Sequence, residues 1–189
     1  MVEREEGGHP IGPATDSLLV ARARTGDLDA FESIVHARTD AVYRLSLAIL
    51  GNEADARDAT QETFIAAWRQ LPRLREPERF EAWLQRIAVN AARMTLRSRG
   101  RRRVREIPAA GVVAAAVAIP GPDADAGVLD RAMARLPVDQ RTLLVLHHLE
   151  GRTTGEIADI LDVPPGTVRS RLFTARRALD AAIAREERG

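Results

Sequence analysis

Arginines, hydroxyl groups and one phenylalanine share a predicted helix near the carboxyl end of the chain, TVRSRLFTARRAL. Apolar residues recur along one side of it at helical spacing and are expected to face a core: Val168, Leu172, Ala175 and Leu179. The outward side then carries Thr167, Arg169, Ser170, Phe173, Thr174, Arg176 and Arg177. Arginine can contact guanine or phosphate, serine and threonine can contact either, and an exposed phenylalanine can touch a thymine methyl group. These side chains predict a surface that reads duplex DNA; a merely solvated helix end is the alternative.

A second row of polar side chains lies on a helix predicted from about residue 78 to residue 98. The row consists of Arg86, Asn90, Arg93 and Arg97. Opposite it runs an apolar stripe made of Phe80, Trp83, Leu84, Ile87, Ala91 and Met94. Such a row can track a nucleic-acid backbone while an aromatic ring or a pocket receives an unstacked base. The alternative is that both aromatic rings belong to the core.

A third set of side chains, on a helix predicted over residues 53–71, is acidic. Asp55, Asp58 and Glu62 fall on one helical face, with Gln61 beside them. The helix is predicted to turn Phe64 inward with other apolar residues. The carboxylates have no basic or histidine neighbour that would make them catalytic. Their spacing alone leaves two interpretations, a solvated face or a docking surface for a basic protein.

The elements that position these residues are all predicted helices. Asp16 can cap a short helix that ends at Thr25-Gly26, and Asp27 can cap the next. A separate buried helix is predicted over residues 41–50, followed by the two helices described above. Near the carboxyl end, Pro137 fits a first helical position, and Thr153 or Thr154 can cap the short helix TGEIADIL.

The turn DVPP after that short helix leads into the basic helix, which is predicted to begin around Gly166-Thr167. Two helices joined by a tight turn, the second with exposed basic and hydroxyl groups, are typical of a DNA-binding helix-turn-helix. The fold class is therefore all-α, with two small helical domains joined by a flexible linker rich in alanine, proline and glycine.

The domain boundaries follow from changes in composition along the chain. Residues 1–15 are predicted to be a flexible tail, residues 16–103 a helical domain, and residues 127–185 a second domain that contains the helix-turn-helix. The linker, residues 104–126, could reach roughly 75 Å at about 3.3 Å per residue when fully extended.

The composition of the 189-residue chain excludes several functional classes. Without cysteine it can form neither disulfides nor thiolate metal sites. No apolar run approaches the roughly 20 residues that span a bilayer, and the amino terminus lacks a signal-peptide core, so we expect a cytoplasmic protein without membrane insertion. His147 and His148 are adjacent and point in different directions, so we expect them to pack rather than bind metal. No phosphate loop or nucleophile–base pair is present; we expect no enzyme and no cofactor.

Three stretches, in order, closely resemble the extracytoplasmic-function (ECF) group of bacterial RNA polymerase sigma factors. They are DARDATQETFIAAWRQL (55–71), FEAWLQRIAVNAARMTLRSR (80–99) and LPVDQRTLLVLHHLEGRTTGEIADILDVPPGTVRSRLFTARRAL (136–179). The resemblance covers most of the chain and includes both domains of the group, with a linker between them. It implies a protein that binds core RNA polymerase and directs initiation at specific promoters.

The resemblance also implies roles for individual residues. Residues Asp55, Asp58, Gln61, Glu62 and Phe64 would dock on the clamp helices of the polymerase β′ subunit, and other surfaces would meet the β subunit. Arg86, Asn90, Arg93 and Arg97 would hold the non-template strand of the melted minus-ten element, and the loop at residues 74–78 would capture a flipped base. The helix-turn-helix would bind the minus-35 element as duplex, and an anti-sigma factor would be a further partner.

One alternative remains open at this stage. A stand-alone helix-turn-helix transcriptional regulator, with an amino-terminal sensor or dimerisation domain, explains residues 136–185 equally well. It does not explain the acidic face of the predicted 53–71 helix or the Arg86–Arg97 row.

Overall fold

A computed structural model of the protein describes residues 17–106 and 127–188, and the side chains of residues 17–98 and 127–188. All regular elements within these ranges are helices, as the sequence predicts. The predicted tail, the capping residue Asp16 and residues 107–126 of the predicted linker lie outside the described ranges.

Three helices begin the fold, and polar caps set their ends. They are α1 (Ser17–Arg24), α2 (Leu28–Leu50) and α3 (Glu53–Gln70). Asp27 caps α2 as predicted, because its carboxylate accepts a hydrogen bond of 3.0 Å from the backbone N–H of Ala30. Gly51 ends α2 with a left-handed φ of 75°, a conformation that glycine adopts without strain. The Asn52 side chain then caps α3 by accepting from the N–H of Asp55 at 2.9 Å.

The prediction of two separate helices between Leu28 and Leu50 was wrong, since α2 is continuous over this span. The polar residues in its middle do not interrupt it, because no glycine or proline lies among them. Arg38 is almost fully buried and forms an ion pair with Glu81 of the following long helix, so a polar residue occupies a core position there. The hydroxyl of Thr39 donates to the carbonyl of Val35 within the same helix, at 2.7 Å.

Two short 3₁₀ turns, Leu71–Arg73 and Pro77–Arg79, lead into the long helix α4 (Phe80–Glu106). Most of the predicted apolar stripe of α4 is buried: Phe80, Leu84, Ile87 and Ala91. Met94 was wrongly placed in this stripe, because its side chain is 62% exposed. Leu96, two residues farther along α4, is 5% exposed, so Met94 points away from the face that the neighbouring helices cover. The helix also continues to Glu106, past the predicted domain boundary at residue 103.

The carboxyl-terminal half consists of α5 (Val128–Ala134), α6 (Val138–Leu144), α7 (Thr154–Leu161) and α8 (Pro165–Glu186). A short π-helical segment, Val145–Leu149, extends α6. Pro137 caps α6 rather than starting it, and α8 begins at Pro165, slightly earlier than predicted. Both prolines suit a helix start, where a missing N–H leaves no bond unmade.

The two halves pack against each other. One continuous hydrophobic cluster contains Ile49 and Ala88 from the first half and Leu146 and Ile157 from the second. Arg141 of α6 is 1% exposed and reaches across the boundary, where its guanidinium donates to the carbonyl of Ile49 at 2.9 Å. The described residues therefore form two helical units that share an interface.

Candidate nucleic-acid interface

The helix-turn-helix is built from α7, a three-residue turn and α8. A capping box fixes the start of α7: the N–H of Thr153 donates to the Glu156 carboxylate at 2.8 Å, and the Glu156 N–H donates to the Thr153 hydroxyl. Burial alone would raise the pKa of Glu156. Hydrogen bonds from Thr153 and Arg152 have the larger combined effect, so the net result is a lowered pKa. Asp162 ends α7 with a left-handed φ of 55°, which turns the chain into Val163-Pro164 and then α8. The sequence left Thr153 and Thr154 open as caps, and Thr153 is the cap.

The outward face of α8 carries the predicted DNA-reading residues. Arg169, Ser170, Phe173, Thr174, Arg176 and Arg177 are exposed, and Thr167 is half-buried. The predicted inward residues Val168, Leu172 and Ala175 are buried, with Leu179 half-buried. The Phe173 ring is 63% exposed, and the Arg177 guanidinium carbon lies 5.8 Å from its centroid. A cation over the ring face is favourable and holds the ring at the surface, where an apolar group can meet a base.

The polar row of α4 is assembled as the sequence predicts, with one member engaged elsewhere. Arg86, Asn90 and Arg97 are exposed. The fourth, Arg93, forms an ion pair of 2.7 Å with Asp139 of α6, and its side chain is 25% exposed. The Arg93 Nε atom is shielded from solvent and has no hydrogen-bond partner among the described residues.

A cavity of about 330 Å³ opens beside the amino-terminal end of this row. The predicted base-capturing loop forms one wall with Leu74, Arg75 and Glu76, and α4 forms another with Trp83 and Arg86. The remaining lining residues are Arg79, Ala82, Asp159 and Ile160. Trp83 is half-buried and its ring lies 5.6 Å from that of Phe80, so the core supports one side of the cavity. The two aromatic residues thus belong to the core, while Trp83 still borders the cavity.

The acidic face of α3 is narrower than the sequence suggested. Asp58, Gln61 and Glu62 are exposed. Asp55 is only 7% exposed, and its carboxylate accepts from the Asn52 side-chain amide at 2.7 Å. It was expected on the exposed stripe; its position in the first turn draws it into the capping interaction instead. Phe64 is 9% exposed, so it faces inward as predicted, and it lines a groove between α2 and α3 with Tyr43 and Gln61.

Sequence reasoning missed a group of polar residues that joins the two halves. Gln85 of α4 is 4% exposed; its carbonyl oxygen accepts from Arg152 at 2.9 Å, and its amide donates to Glu150 at 3.2 Å. Burial raises the pKa of Glu150, and Arg152 and Arg44 oppose that shift. The available signal was a glutamine directly after Leu84 in the apolar stripe, at a position the helix buries.

The two histidines do more than pack. His147 bonds through Nδ1 to the carbonyl of Arg152 at 3.0 Å, and His148 accepts through Nε2 a long contact of 3.4 Å from Arg176 of α8. Burial, followed by the charges of His147 and Arg176, lowers the pKa of His148. Residues 17–106 and 127–188 contain no cluster of three or more metal-binding side chains. Within the same ranges, no helix is both long enough and apolar enough to cross a bilayer.

Two segments of the chain match profiles of one protein family. Residues 34–102 match a family profile described as sigma-70 region 2, and residues 126–179 match one described as sigma-70, region 4. The RNA polymerase sigma-H factor of Pseudomonas aeruginosa is 37% identical over 89% of this chain and 93% of its own length. The ECF RNA polymerase sigma-E factor of Escherichia coli K12 is 37% identical over 89% of this chain and 94% of its own length. The chain belongs to the ECF group of the sigma-70 family.

The fold of this sigma factor agrees with solved structures. CnrH, determined in complex with the cytosolic domain of CnrY, superposes with a TM-score of 0.64 at 26% identity, over 90% of this chain and 97% of that one. RpoE of Bartonella quintana, determined with the anti-sigma factor NepR, has the same fold, with a TM-score of 0.62 at 23% identity over 82% of this chain and 96% of that one. The protein is thus a sigma factor for initiation of transcription by RNA polymerase.

Proposed function

We propose that this sigma factor holds a promoter at two places, through α8 on the minus-35 duplex and through α4 on the melted minus-ten strand. The observation that carries the proposal is the presence of two separate nucleic-acid-type surfaces in one chain. The domain assignment is part of it: residues 16–103 act as region 2, residues 127–185 as region 4, and residues 104–126 as the linker.

The α8 face suits duplex reading because its polar residues stand on a rigid, capped motif. Arg169 and Ser170 lie in the second turn of the helix and are free to enter a major groove. Phe173 adds an apolar contact suited to a thymine methyl group, and Arg176 and Arg177 suit phosphates farther along. A single such motif binds DNA modestly, so tethering to polymerase and to the second anchor supplies effective concentration.

The α4 row suits a single strand because it combines positive charge with a cavity for a base. Arg86 belongs to the row and also lines the 330 Å³ cavity, so its side chain can contact the DNA backbone next to a captured base. Unstacking a base costs a few kcal/mol, and enclosing it in a pocket offsets part of that cost. Promoter binding through these arginines is expected to weaken steeply as salt rises.

The docking of core polymerase is assigned to α3. Asp58, Gln61 and Glu62 present an exposed acidic and amide face, which complements a basic surface such as the β′ clamp helices. Phe64 and the adjoining groove add apolar area, Asp55 supports the helix start, and contacts to the β subunit complete the complex. An anti-sigma factor is a further proposed partner, because the related RpoE was determined in complex with one.

The same proposal makes the protein a cytoplasmic regulatory subunit rather than a catalyst, since its partners are polymerase and chromosomal DNA. The test is to add it to sigma-free bacterial core polymerase with a promoter library and look for run-off transcripts. We expect specific transcripts from wild type. Tight duplex binding by the protein alone, without stimulation of core, would instead support the stand-alone regulator.

A charge-reversed variant tests the docking surface. Asp58→Arg with Glu62→Arg should abolish co-purification with core, because two exposed carboxylates then repel the basic partner. The matched control reverses two exposed acidic residues of α2, Asp29→Arg with Glu32→Arg, and should still co-purify. Equal retention of core by both double variants would contradict the assignment of α3.

A further inference from the structure

His148 lies beside the basic helix α8, although it belongs to an earlier part of the chain. It stands in the π-helical segment Val145–Leu149, where the N–H of Glu150 donates to the carbonyl of Val145 at 3.0 Å. A single π-helical turn is rare and is frequently found at functional sites. Here the turn brings Nε2 of His148 to 3.4 Å from Nε of Arg176 on α8.

The neighbouring histidine fixes the position of this turn. Nδ1 of His147 lies 3.0 Å from the carbonyl oxygen of Arg152, and a carbonyl only accepts, so Nδ1–H is the donor. The rings of His147 and His148 meet edge to face, with their centroids 4.8 Å apart. The ring of His148 therefore packs against a neighbour that is itself bonded to the backbone.

Arg176 lies at the end of the outward face of α8 that is proposed to read the duplex. It comes seven residues after Arg169, which at about 1.5 Å per residue is roughly 10 Å along the helix. The major groove is about 12 Å wide, so a helix that places Arg169 over base edges brings Arg176 to the flanking phosphates. Arg177 lies over the ring of Phe173 instead. His148 and Arg176 are both exposed and would meet the DNA backbone together.

We propose that His148 and Arg176 together bind one backbone phosphate of the duplex, and that His148 takes up a proton from solvent as it does so. This inference rests on the proposed role of α8. The 3.4 Å contact between the two side chains is longer than a usual hydrogen bond of about 2.7–3.2 Å, so a phosphate oxygen can replace it at little cost. Protonated His148 then donates from Nε2, and Arg176 donates from its guanidinium, to the same phosphate.

The surroundings of His148 are mainly basic in the free protein. The charged and titratable groups around its segment come from α2, the start of α7, α8 and the segment itself: Arg44, Arg152, Glu156, Arg176, His147 and Glu150. The carboxylate of Glu150 is engaged by the buried amide of Gln85. A phosphate would therefore bring negative charge to a place where His148 meets positive charge from His147 and Arg176.

These charges set the direction of the pH dependence. Burial, followed by the charges of His147 and Arg176, lowers the pKa of His148 in the free protein, so the imidazole is neutral at neutral pH. A phosphate beside the ring favours the charged form and raises that pKa. Between the two pKa values the complex holds one more proton than the free protein. The affinity for duplex should therefore rise as the pH falls through this window, and stay constant above it.

Duplex affinity at two pH values measures this proton uptake. The probe is a random-sequence duplex of about twenty base pairs, roughly two helical turns, with a fluorescent end, added to the full-length protein at low, constant salt. His148→Gln keeps a group that can accept from Arg176 but cannot become charged. It should match wild type at about pH 8 and bind about two- to fivefold more weakly than wild type at about pH 6, the range of one exposed ionic contact.

The matched control changes a histidine far along the chain from α8. The side chain of His36 on α2 is 80% exposed, and His36→Gln makes the same change of residue type there. This variant should keep the full gain of wild type between about pH 8 and pH 6. Equal affinities of His148→Gln and His36→Gln at both pH values would overturn the proposal.

Nuclear magnetic resonance follows the same proton directly. The imidazole signal of His148, assigned by its absence from the spectrum of His148→Gln, is titrated with and without the duplex probe. The pKa of His148 should be higher when the duplex is bound. A pKa that the duplex leaves unchanged would contradict proton uptake at this ring.

A double variant tests whether the two side chains share one phosphate. Arg176→Gln alone should weaken binding at both pH values. If the phosphate is shared, adding His148→Gln to Arg176→Gln should cost less at about pH 6 than His148→Gln costs in wild type, because neighbouring residues with one ligand are coupled. The same loss in both backgrounds would mean that His148 acts alone and would refute the joint site.

A further variant distinguishes failure of this inference from failure of the α8 assignment. Arg176→Gln with Arg177→Gln removes both arginines proposed to meet phosphates. If this variant binds the duplex probe as wild type does, α8 does not take the duplex and both ideas fall. If it binds more weakly while His148→Gln equals wild type at both pH values, only the role of His148 is refuted.

Discussion

Arg141 gives the sharpest test of how the two halves are held, because it carries a charge into the interior without a carboxylate partner among the described residues. The residue is 1% exposed, and its guanidinium donates to the carbonyls of Ile49, Ala134 and Leu136 at 2.9, 3.0 and 3.3 Å. Burial lowers the pKa of Arg141 to about 10, so the side chain is still charged at neutral pH. We expect Arg141→Met, which keeps a long apolar chain, to destabilise the protein.

Two opposing effects set the size of the destabilisation expected for Arg141→Met. Each buried carbonyl left without its donor costs about 1–3 kcal/mol, which amounts to roughly 6 kcal/mol for three. Methionine carries no charge that must be desolvated, which opposes this loss. The lowered pKa of Arg141 corresponds to a gain of about 3 kcal/mol, since one pKa unit is worth about 1.4 kcal/mol. The expected net loss in the free energy of unfolding is therefore about 3 kcal/mol. For a chain of this length, that lowers Tm by about 6–12 °C.

Thermal unfolding followed by circular dichroism measures this shift. The matched control is Arg57→Met on α3, because the Arg57 side chain is 69% exposed and pairs with Glu53 one turn earlier. That pair is worth only about 0.3–0.5 kcal/mol, so the control should melt within about 2 °C of wild type. If Arg141→Met melts together with the control, the carbonyl bonds do not stabilise the fold and the reasoning fails.

Two further predictions concern the helix-turn-helix. Thr153→Ala should lower the free energy of unfolding by about 1 kcal/mol, because it removes the cap of α7. Thr154→Ala, at the first residue of the helix, should lower it by less. Equal losses of the two variants in urea titrations would contradict the assignment of the cap. Phe173→Ala should weaken binding to the preferred upstream element by about 1–3 kcal/mol and leave binding to other sequences nearly unaffected. Competition between duplexes measures this difference, and equal losses on all duplexes would mean that the ring does not read a base.

The local features of this fold were predictable because short-range chemistry determines them. The caps at Asp27 and Thr153 lie next to apolar periodicity, and the pattern of α8 separates Val168 and Leu172 from Arg169 and Phe173. A 3.6-residue repeat assigns each side chain to a face without knowledge of the rest of the chain. For the same reason the sequence indicated which faces of α8 and α4 carry the exposed polar residues, and it indicated the exposed face of α3 around Asp58.

Errors arose where contacts that helical periodicity does not specify decided the outcome. The polar residues in the middle of α2 were predicted to separate two helices, but Glu81 of α4 provides a partner for buried Arg38 and the helix continues. Asp55 was predicted to lie on an exposed stripe, but its carboxylate accepts a hydrogen bond from the Asn52 side chain at the start of α3. Met94 matched the period of the apolar stripe, yet its side chain is largely exposed. Periodicity specifies direction around a helix axis, whereas burial depends on what lies opposite.

The sequence by itself determined the class of this protein, an all-helical ECF sigma factor, and the order of the helices that carry the acidic face, the arginine row and the exposed basic residues of α8. Local helical periodicity and family pattern contain that information. Only the tertiary structure decided that the two halves close on each other, that Gln85 and Arg141 bond across the boundary, and that Asp139 holds Arg93. These contacts join residues 46 to 92 positions apart, and no short-range pattern specifies such pairs, because they arise when separate apolar faces pack together.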